Sequence, residues 1–180
     1  MAHELDGRKV AIIAADMVER VELTKPRQAL DDAGAQTTLV SIKPGEIRSF
    51  DHFDPSEAFS VQQTIDQARP EEYDAVFIPG GVGNPDQLRA DKGVVNFVRQ
   101  MHLAGKPIGA ICHGPWVLVE AGLARGRTLT SWPTLHTDIE NAGGSWIDQE
   151  VVKDGQVLTS RGPDDLPAYT KALVEHFAAR

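Results

Sequence analysis

The residues best suited to carry chemistry in this sequence are its single cysteine, Cys112, and the histidine that follows it. The apolar run at 107–111 precedes them and predicts a short buried strand. Gly114 and Pro115 come next, and proline favours the first turn of a helix. Cys112 is therefore predicted to lie on a tight strand-to-helix elbow, with small residues on both sides to make room for the turn. A thiol beside a helix N-terminus and a histidine is expected to have a lowered pKa and to react as a thiolate.

A structural interpretation of the same residues stays open. A lone cysteine in a globular protein is commonly a small buried hydrophobe. The side chain of His113 can point away from the sulfur, because adjacent residues at an elbow often face opposite sides. The coincidence of strand, elbow, histidine and helix start favours a nucleophile over a buried core residue.

Two other polar features follow predicted buried strands. Asp16 and Glu19 come after the strand at 9–15, and Gly80 and Gly81 come after the strand at 74–78. Ligands of parallel sheets bind beyond the carboxyl ends of the strands, so these features are expected to converge with the elbow. The spacing of Asp16 and Glu19 also resembles a helix-capping box, so Glu19 is either a cap or a site residue. Gly80 and Gly81 likewise form either a simple tight turn or a source of amide donors.

The spacing of apolar residues predicts the elements that position this site. Strands alternate with helices, which is typical of a parallel sheet covered by helices on both faces. A polar, proline-interrupted stretch at 44–59 suggests a small hairpin, and residues 150–160 predict another. The predicted strands are 9–15, 36–42, 74–78, 107–111 and 127–131, and the predicted helices are 21–33, one around 94–101, one opening at 115, 135–141 and one from 163 onward.

Composition limits the class of protein. The 180 residues, with 41% hydrophobic and 24% charged side chains, predict one globular domain over residues 1–180. The net charge of −8 argues against a nucleic-acid surface or an anionic-membrane surface. One cysteine cannot form an internal disulfide, which fits a reducing, cytoplasmic location. The other histidines are scattered and show no metal-ligand spacing with Cys112, so neither a metal nor another cofactor is expected.

The elbow Ala110-Ile111-Cys112-His113-Gly114-Pro115 resembles the PfpI family of intracellular cysteine peptidases. That family belongs to the superfamily that also holds the parkinsonism-associated protein deglycase. The resemblance extends over nearly the whole chain. Its further motifs are Glu19-Arg20-Val21-Glu22-Leu23, Pro79-Gly80-Gly81, Gly105-Lys106-Pro107, Asn141-Ala142-Gly143, Glu150-Val151-Val152, and Ser160-Arg161 with Pro163-Asp164-Asp165-Leu166.

The resemblance implies a fold and a set of site residues. The fold is a flavodoxin-like, three-layer α/β/α sandwich with a mainly parallel sheet, similar to class I glutamine amidotransferases. Cys112 matches the nucleophile, His113 the adjacent catalytic histidine, and Glu19 the glutamate whose carboxyl group touches the sulfur. The amides of Gly81 and His113 match an oxyanion hole. Since two anions in contact repel, the glutamate beside a thiolate has to be protonated.

The resemblance also implies homo-oligomers, either dimers or hexamers. Asp86 falls at the acidic position that reaches the histidine of a neighbouring subunit in PfpI-type assemblies. PfpI itself is similar but has a glutamate there, and the loop of this chain is one residue longer. A carboxylate in that place would fix the tautomer of His113. Asp86 can instead cap the short turn after Pro85.

Three functions are compatible with a cysteine elbow. The first is a stress-protective cysteine hydrolase, since the family resemblance implies peptidase, glyoxalase and deglycase activities, the last on methylglyoxal adducts. The second is a redox sensor or chaperone-like stress protein in which Cys112 is oxidised rather than turned over. The third is a glutamine amidotransferase, which is disfavoured because the chain has no late His-x-Glu motif. The residues alone do not choose between peptide and glyoxal substrates.

Overall fold

The computed structural model describes residues 3–179, which form twelve strands and six α-helices. The strands are β1 (Lys9–Ile13), β2 (Val18–Glu19), β3 (Gln36–Ser41), β4 (Glu46–Asp51), β5 (Asp54–Ser60), β6 (Gln63–Thr64), β7 (Ala75–Ile78), β8 (Ile108–Ile111), β9 (Thr128–Leu129), β10 (Ser145–Trp146), β11 (Val151–Asp154) and β12 (Val157–Ser160). The helices are α1 (Arg20–Asp32), α2 (Gly83–Ala90), α3 (Lys92–Leu103), α4 (Pro115–Glu120), α5 (His136–Asn141) and α6 (Leu166–Ala178).

Seven strands form the central sheet in the order β11-β12-β8-β7-β1-β3-β6. All neighbours pair in parallel except β11 and β12, which form the predicted hairpin. Strands β1, β7 and β8 lie at or next to the centre and are almost wholly buried, which explains their continuous apolar sequences. The carboxyl ends of β7 and β8 are adjacent, so Gly80 and Cys112 emerge side by side.

Helices cover both faces of this sheet. Val10 and Ile12 of β1 face the layer that contains α1 and α6, whereas Ala11 and Ile13 face the layer of α3 and α4. This alternation follows from the two-residue repeat of a strand. The arrangement confirms the predicted flavodoxin-like, three-layer α/β/α sandwich with a mainly parallel sheet. Within residues 3–179 no helix combines the length and the apolar character needed to cross a lipid bilayer.

The second sheet, β2-β4-β5, holds the predicted hairpin of residues 44–59 and corrects one expectation. Asp16 does not cap α1. Its carboxylate accepts a 2.8 Å hydrogen bond from the Arg48 amide and pairs with Lys43. The short strand β2 separates Asp16 from the helix, which begins at Arg20 after Glu19, and the Glu19 side chain makes no capping hydrogen bond. The capping-box interpretation is therefore wrong.

Candidate active site

Cys112 lies on the predicted elbow between β8 and α4. Its backbone has φ of 62°, in the left-handed region that residues with a side chain seldom adopt. The strained turn is held from both sides, because the Cys112 amide donates to the Ser160 carbonyl at 3.0 Å and its carbonyl accepts from the Trp132 amide at 2.9 Å. Strain of this kind persists only where neighbours enforce it, and it concentrates at functional sites.

The end of β7 approaches the elbow so closely that a side chain is excluded there. A Cβ atom on Gly80 would lie 2.5 Å from Glu22 Oε1 and 2.6 Å from the Cys112 Cβ. The next residue, Gly81, directs its amide at the sulfur, as does His113. These two amides are the predicted oxyanion donors, and in the free protein they lower the pKa of the Cys112 thiol.

The carboxyl group that touches the sulfur belongs to Glu22 and not to Glu19. Glu22 is fully buried in the first turn of α1, and its carboxyl group lies next to the Cys112 side chain, since a Cβ atom on Gly80 would approach both Glu22 Oε1 and Cys112 Cβ. The assignment of Glu19 to this position is therefore wrong in geometry. Helix α1 begins one residue after Glu19, so the side chain one turn further on is the one that points into the sheet edge.

Glu22 is surrounded in a way that favours its neutral form. Neither carboxyl oxygen makes a well-aligned hydrogen bond to residues 3–179, although the amides of Gly80 and Gly81 lie nearby. Burial, followed by the charge of Glu19, raises the pKa of Glu22 to about 8. At neutral pH the carboxyl group is therefore largely protonated and able to donate a hydrogen bond to sulfur.

The Cys112 thiol does not have the simple depressed pKa expected from the elbow. The side chain is 6% exposed, and burial raises the pKa of the thiol well above its ordinary value, as does the Glu22 carboxylate when Glu22 is ionised. A helix as short as α4 does not offset this desolvation. At neutral pH the thiolate is therefore the minor form of Cys112, and a protonated Glu22 can stabilise it by donating a hydrogen bond once the thiol has lost its proton.

His113 lies directly against the sulfur, with its Nδ1 atom 3.2 Å from Cys112 Sγ. Two tryptophans enclose the imidazole. Trp132 stacks on it with ring centroids 6.0 Å apart, and Trp116 meets its edge at 5.1 Å. Burial lowers the pKa of His113 to about 4, so the ring is neutral at pH 7. Its Nδ1 atom can accept a hydrogen bond from the thiol, but the ring does not act as a cationic neighbour at that pH.

Asp86 does not contact His113 of its own chain. It lies exposed in the first turn of α2, and its carboxylate forms a 2.8 Å ion pair with Arg89. The Arg89 guanidinium lies 4.3 Å from the centre of the Trp116 ring, which in turn touches His113. Asp86 therefore lies on the side of α2 toward the site but separated from the imidazole by two side chains.

Glu19 lies close to the site and contacts the residues that surround it. Its side chain is largely buried, and its carboxylate accepts a 3.1 Å hydrogen bond from the backbone amide of His52, at the tip of the β4–β5 hairpin. The Glu19 amide donates to the Gly80 carbonyl at 3.3 Å. Glu19 thus joins three parts of the site: the hairpin, the start of α1 and the end of β7.

The sequence carries one signal for the role of Glu22, although the family resemblance pointed to Glu19. Glu22, Pro26 and Leu30 are four residues apart on α1, and all three are buried. A charged residue in line with the buried face of an amphipathic helix points into the protein, where it needs a specific role. The contact of Trp132 with His113 had no local signal, because it joins residues far apart in the sequence.

The cysteine elbow at the carboxyl edge of a parallel sheet, with a buried glutamate beside its sulfur, places the protein among flavodoxin-like α/β proteins that carry a thiol at this edge. The chain belongs to the DJ-1/PfpI family, whose family model matches residues 8–176.

Named relatives agree with this family. The chain is 38% identical to Deglycase PH1704 of Pyrococcus horikoshii over 167 residues, which are 93% of this chain and 98% of the relative. It is 39% identical to Protein/nucleic acid deglycase 2 of Escherichia coli over 174 residues, or 96% and 99% of the two chains. The crystal structure of Drosophila melanogaster DJ-1beta superposes with a TM-score of 0.87 at 27% identity, covering 96% of this chain and 91% of that one.

Proposed function

We propose that this protein is a stress-protective, cysteine-dependent hydrolase that acts as a deglycase or glyoxalase on methylglyoxal or its adducts, with intracellular peptidase activity as the alternative on the same site. The observation that carries the proposal is the contact between the Glu22 carboxyl group and the Cys112 thiol. Relatives named as deglycases share more than a third of their residues with the chain over almost its full length.

The geometry supports a nucleophilic first step. With the proton on Glu22, the Cys112 thiolate attacks the carbonyl carbon of the substrate and forms a carbon–sulfur bond. The π electrons of the carbonyl move to its oxygen, where the amides of Gly81 and His113 stabilise the negative charge. Glu22 can then pass its proton to that oxygen, which gives a neutral hemithioacetal when the substrate is an aldehyde.

The surroundings of the sulfur favour a small carbonyl compound over a folded protein chain. The thiol is 6% exposed, and His113, Trp116 and Trp132 crowd one side of it. A substrate has to bring its carbonyl carbon within bonding distance of this recessed atom. An aldehyde at the end of a flexible glycated side chain meets that requirement more easily than a peptide bond within a folded domain.

Turnover assays test the proposal directly. Wild-type protein and Cys112→Ala are compared on free methylglyoxal, on a methylglyoxal-treated peptide and on the same peptide untreated. Loss of the dicarbonyl or release of the free amine by wild type, with at least a hundredfold loss in Cys112→Ala, supports the deglycase or glyoxalase. Cleavage of the untreated peptide alone identifies a peptidase, and no turnover of any of them overturns the proposal.

A redox sensor is the second candidate, and the contact of Glu22 with Cys112 favours it too. A peroxide oxidises the thiolate to a sulfenate and leaves as water, and a second peroxide gives the sulfinate and another water. A protonated Glu22 would donate a hydrogen bond to either oxyanion. Mass spectrometry after mild peroxide treatment distinguishes the candidates, since a sensor accumulates sulfinate at Cys112 while showing no turnover of carbonyl substrates.

The proposed working form is a cytoplasmic homo-oligomer, either a dimer or a hexamer, in which Asp86 of a neighbouring subunit orients His113. Two observations support this part. Asp86 is exposed and does not reach the imidazole of its own chain. The single cysteine is free, as expected for a protein that works in a reducing compartment.

A further inference from the structure

Glu19 and Glu22 bring two carboxyl groups together at the start of α1. Glu19 is the last residue before α1 and Glu22 lies in the first helical turn three residues later, and both are at least nine-tenths buried. Their surroundings differ. The Glu19 carboxylate accepts hydrogen bonds from the His52 amide at 3.1 Å and 3.4 Å, whereas neither oxygen of Glu22 has a well-aligned donor within residues 3–179.

This difference decides which group carries the negative charge. An ionised carboxylate is stabilised by amide donors, and a buried one without donors is costly. The helix N-terminus favours one negative charge, but two at this spacing repel each other. Arg20, the basic residue between them in sequence, forms its ion pair with Asp51 at 2.8 Å and so offsets the repulsion only in part. Glu19 is thus the ionised member of the pair.

We propose that Glu19 is a positioning residue whose carboxylate, anchored by the hairpin amide of His52, keeps Glu22 protonated beside Cys112. Three other ionisable groups lie next to this pair of glutamates. On Glu22's other sides lie the Cys112 thiol from the elbow and the Tyr169 hydroxyl from α6, while the His52 imidazole approaches Glu19 to 3.9 Å. The Tyr169 hydroxyl is fully buried and uncharged at neutral pH, since burial raises its pKa. It therefore adds no negative charge beside Glu22.

The arrangement links the hairpin to the reactive sulfur. The charge of Glu19 keeps Glu22 neutral, and a neutral Glu22 does not repel the thiolate that Cys112 forms and can donate a hydrogen bond to it. This step rests on the proposed function, because only a nucleophilic or oxidisable thiol benefits from it. It gives the β4–β5 hairpin a role that its exposed sequence does not suggest: its tip fixes a charge that never touches the substrate.

Infrared titration of the Glu22 carboxyl group tests the assignment. A buried, protonated carboxyl group has a resolved carbonyl stretch, and the band of Glu22 is identified by its absence in Glu22→Gln. The pH midpoint at which this band disappears is measured in wild type, Glu19→Gln and Glu19→Asp. Glu46→Gln is the matched control, since it removes one charge from the same hairpin at an exposed position. Glutamine at 19 still offers an oxygen to the His52 amide, so the fold is retained.

In Glu19→Gln we expect the midpoint of the Glu22 band to fall by about one pH unit, because Glu22 then loses a neighbouring negative charge in a partly screened site. Glu19→Asp, which keeps the charge, should stay closer to wild type than Glu19→Gln, and Glu46→Gln should match wild type. An unchanged midpoint in Glu19→Gln overturns the proposal, as does an equal fall in Glu46→Gln. The band is measured without substrate. A failure to turn over any carbonyl compound would therefore contradict the proposed function, but it would not affect the outcome of this titration.

Discussion

Cys112 Sγ lies 3.2 Å from Nδ1 of His113, yet this contact is not a thiolate–imidazolium pair at neutral pH. Burial lowers the pKa of His113 to about 4, so the ring is neutral at pH 7. A thiolate at Cys112 is therefore not stabilised by an imidazolium. Glu22 is the group suited to stabilise it, because its raised pKa of about 8 keeps the carboxyl group protonated and able to donate a hydrogen bond.

The first prediction concerns stability and the Glu22 carboxyl group. Its pKa is about 8 in the folded protein, against an ordinary value of 4.5. Between these values the folded state binds more protons than the unfolded state, so the free energy of unfolding falls as pH rises. We expect Glu22→Gln to gain stability relative to wild type across this window, by up to about 1.4 kcal/mol per pH unit.

Urea denaturation at several pH values between 4.5 and 8 checks this prediction. Glu46→Gln serves as the control, because its carboxylate is exposed and should leave the slope of stability against pH unchanged. Parallel stability curves for wild type and Glu22→Gln would show that Glu22 titrates normally in the folded protein.

The second prediction concerns the tryptophan that shields His113. Trp132 stacks on the imidazole with an interplanar angle of 23° and excludes water from one face. Trp132→Ala should therefore raise the pKa of His113 from about 4 toward its ordinary 6.5, because desolvation is the cause of the lowering. Nitrogen-15 NMR of the imidazole follows the titration directly.

A second stacked pair in the protein provides the control for Trp132→Ala. Trp146 stacks on the exposed His136 with ring centroids 4.6 Å apart and is not one of the two tryptophans that pack on His113. Trp146→Ala should leave the titration of His113 unchanged. If Trp132→Ala also left it unchanged, the protein matrix beneath the ring, and not the tryptophan, would be what keeps His113 neutral.

The third prediction tests the close approach of β7 to the elbow. Gly80→Ala would place a methyl group 2.5 Å from Glu22 Oε1 and 2.6 Å from the Cys112 Cβ, so Glu22 must move away from the sulfur. We expect a loss of about 1–3 kcal/mol of stability from this overpacking and slower alkylation of Cys112 at neutral pH. Iodoacetamide kinetics and urea denaturation measure the two effects.

Gly93→Ala is the comparison for Gly80→Ala. Position 93 lies in the first turn of α3, where the nearest contact is the capping carboxylate of Asp91 at 3.0 Å. The higher helix propensity of alanine opposes the cost of a small shift of this cap, so the change in stability should be below about 1 kcal/mol. Alkylation of Cys112 should proceed at the wild-type rate in this variant. Unchanged alkylation in Gly80→Ala would show that Glu22 does not govern the reactivity of the thiol.

The sequence predicted the fold well because the sheet is built from local signals. The buried runs of β1, β7 and β8 are continuously apolar, and Gly114-Pro115 marks the turn into α4. The elbow followed from the same signals. The choice between Glu19 and Glu22 did not, because it depends on where α1 begins, and the two-residue strand β2 ahead of it forms only by pairing with β4.

Long-range contacts set the electrostatics of the site, and these were not predictable from spacing. The thiol was expected to be acidic from the helix start and the neighbouring histidine. In the structure the desolvation of Cys112, and of the imidazole between Trp116 and Trp132, outweighs both effects. Burial of this kind depends on contacts that form only in the folded protein, and the residues next to Cys112 in the sequence do not indicate it.

The last prediction tests whether Asp86 acts on a neighbouring subunit. Within one chain its carboxylate pairs with Arg89, and Trp116 stands between that pair and His113. A histidine that moves protons needs an acceptor on its second nitrogen to fix its tautomer. If that acceptor comes from another subunit, Cys112→Ala and Asp86→Ala protomers should each be inactive alone and should regain activity after subunit exchange. Random pairing into two-fold oligomers should restore about a quarter of the wild-type activity, since half the pairs are hybrids and each has one complete site.

Two measurements make this complementation experiment decisive. Native mass spectrometry confirms that hybrid oligomers have formed, and a mixture of Cys112→Ala with Cys112→Ser shows the background when no nucleophile is supplied. Asp86→Glu should keep much of the activity by itself, because it retains a carboxylate at this position. Verified hybrids with no more activity than the background would place the orienting carboxylate of His113 elsewhere and leave Asp86 as the surface partner of Arg89.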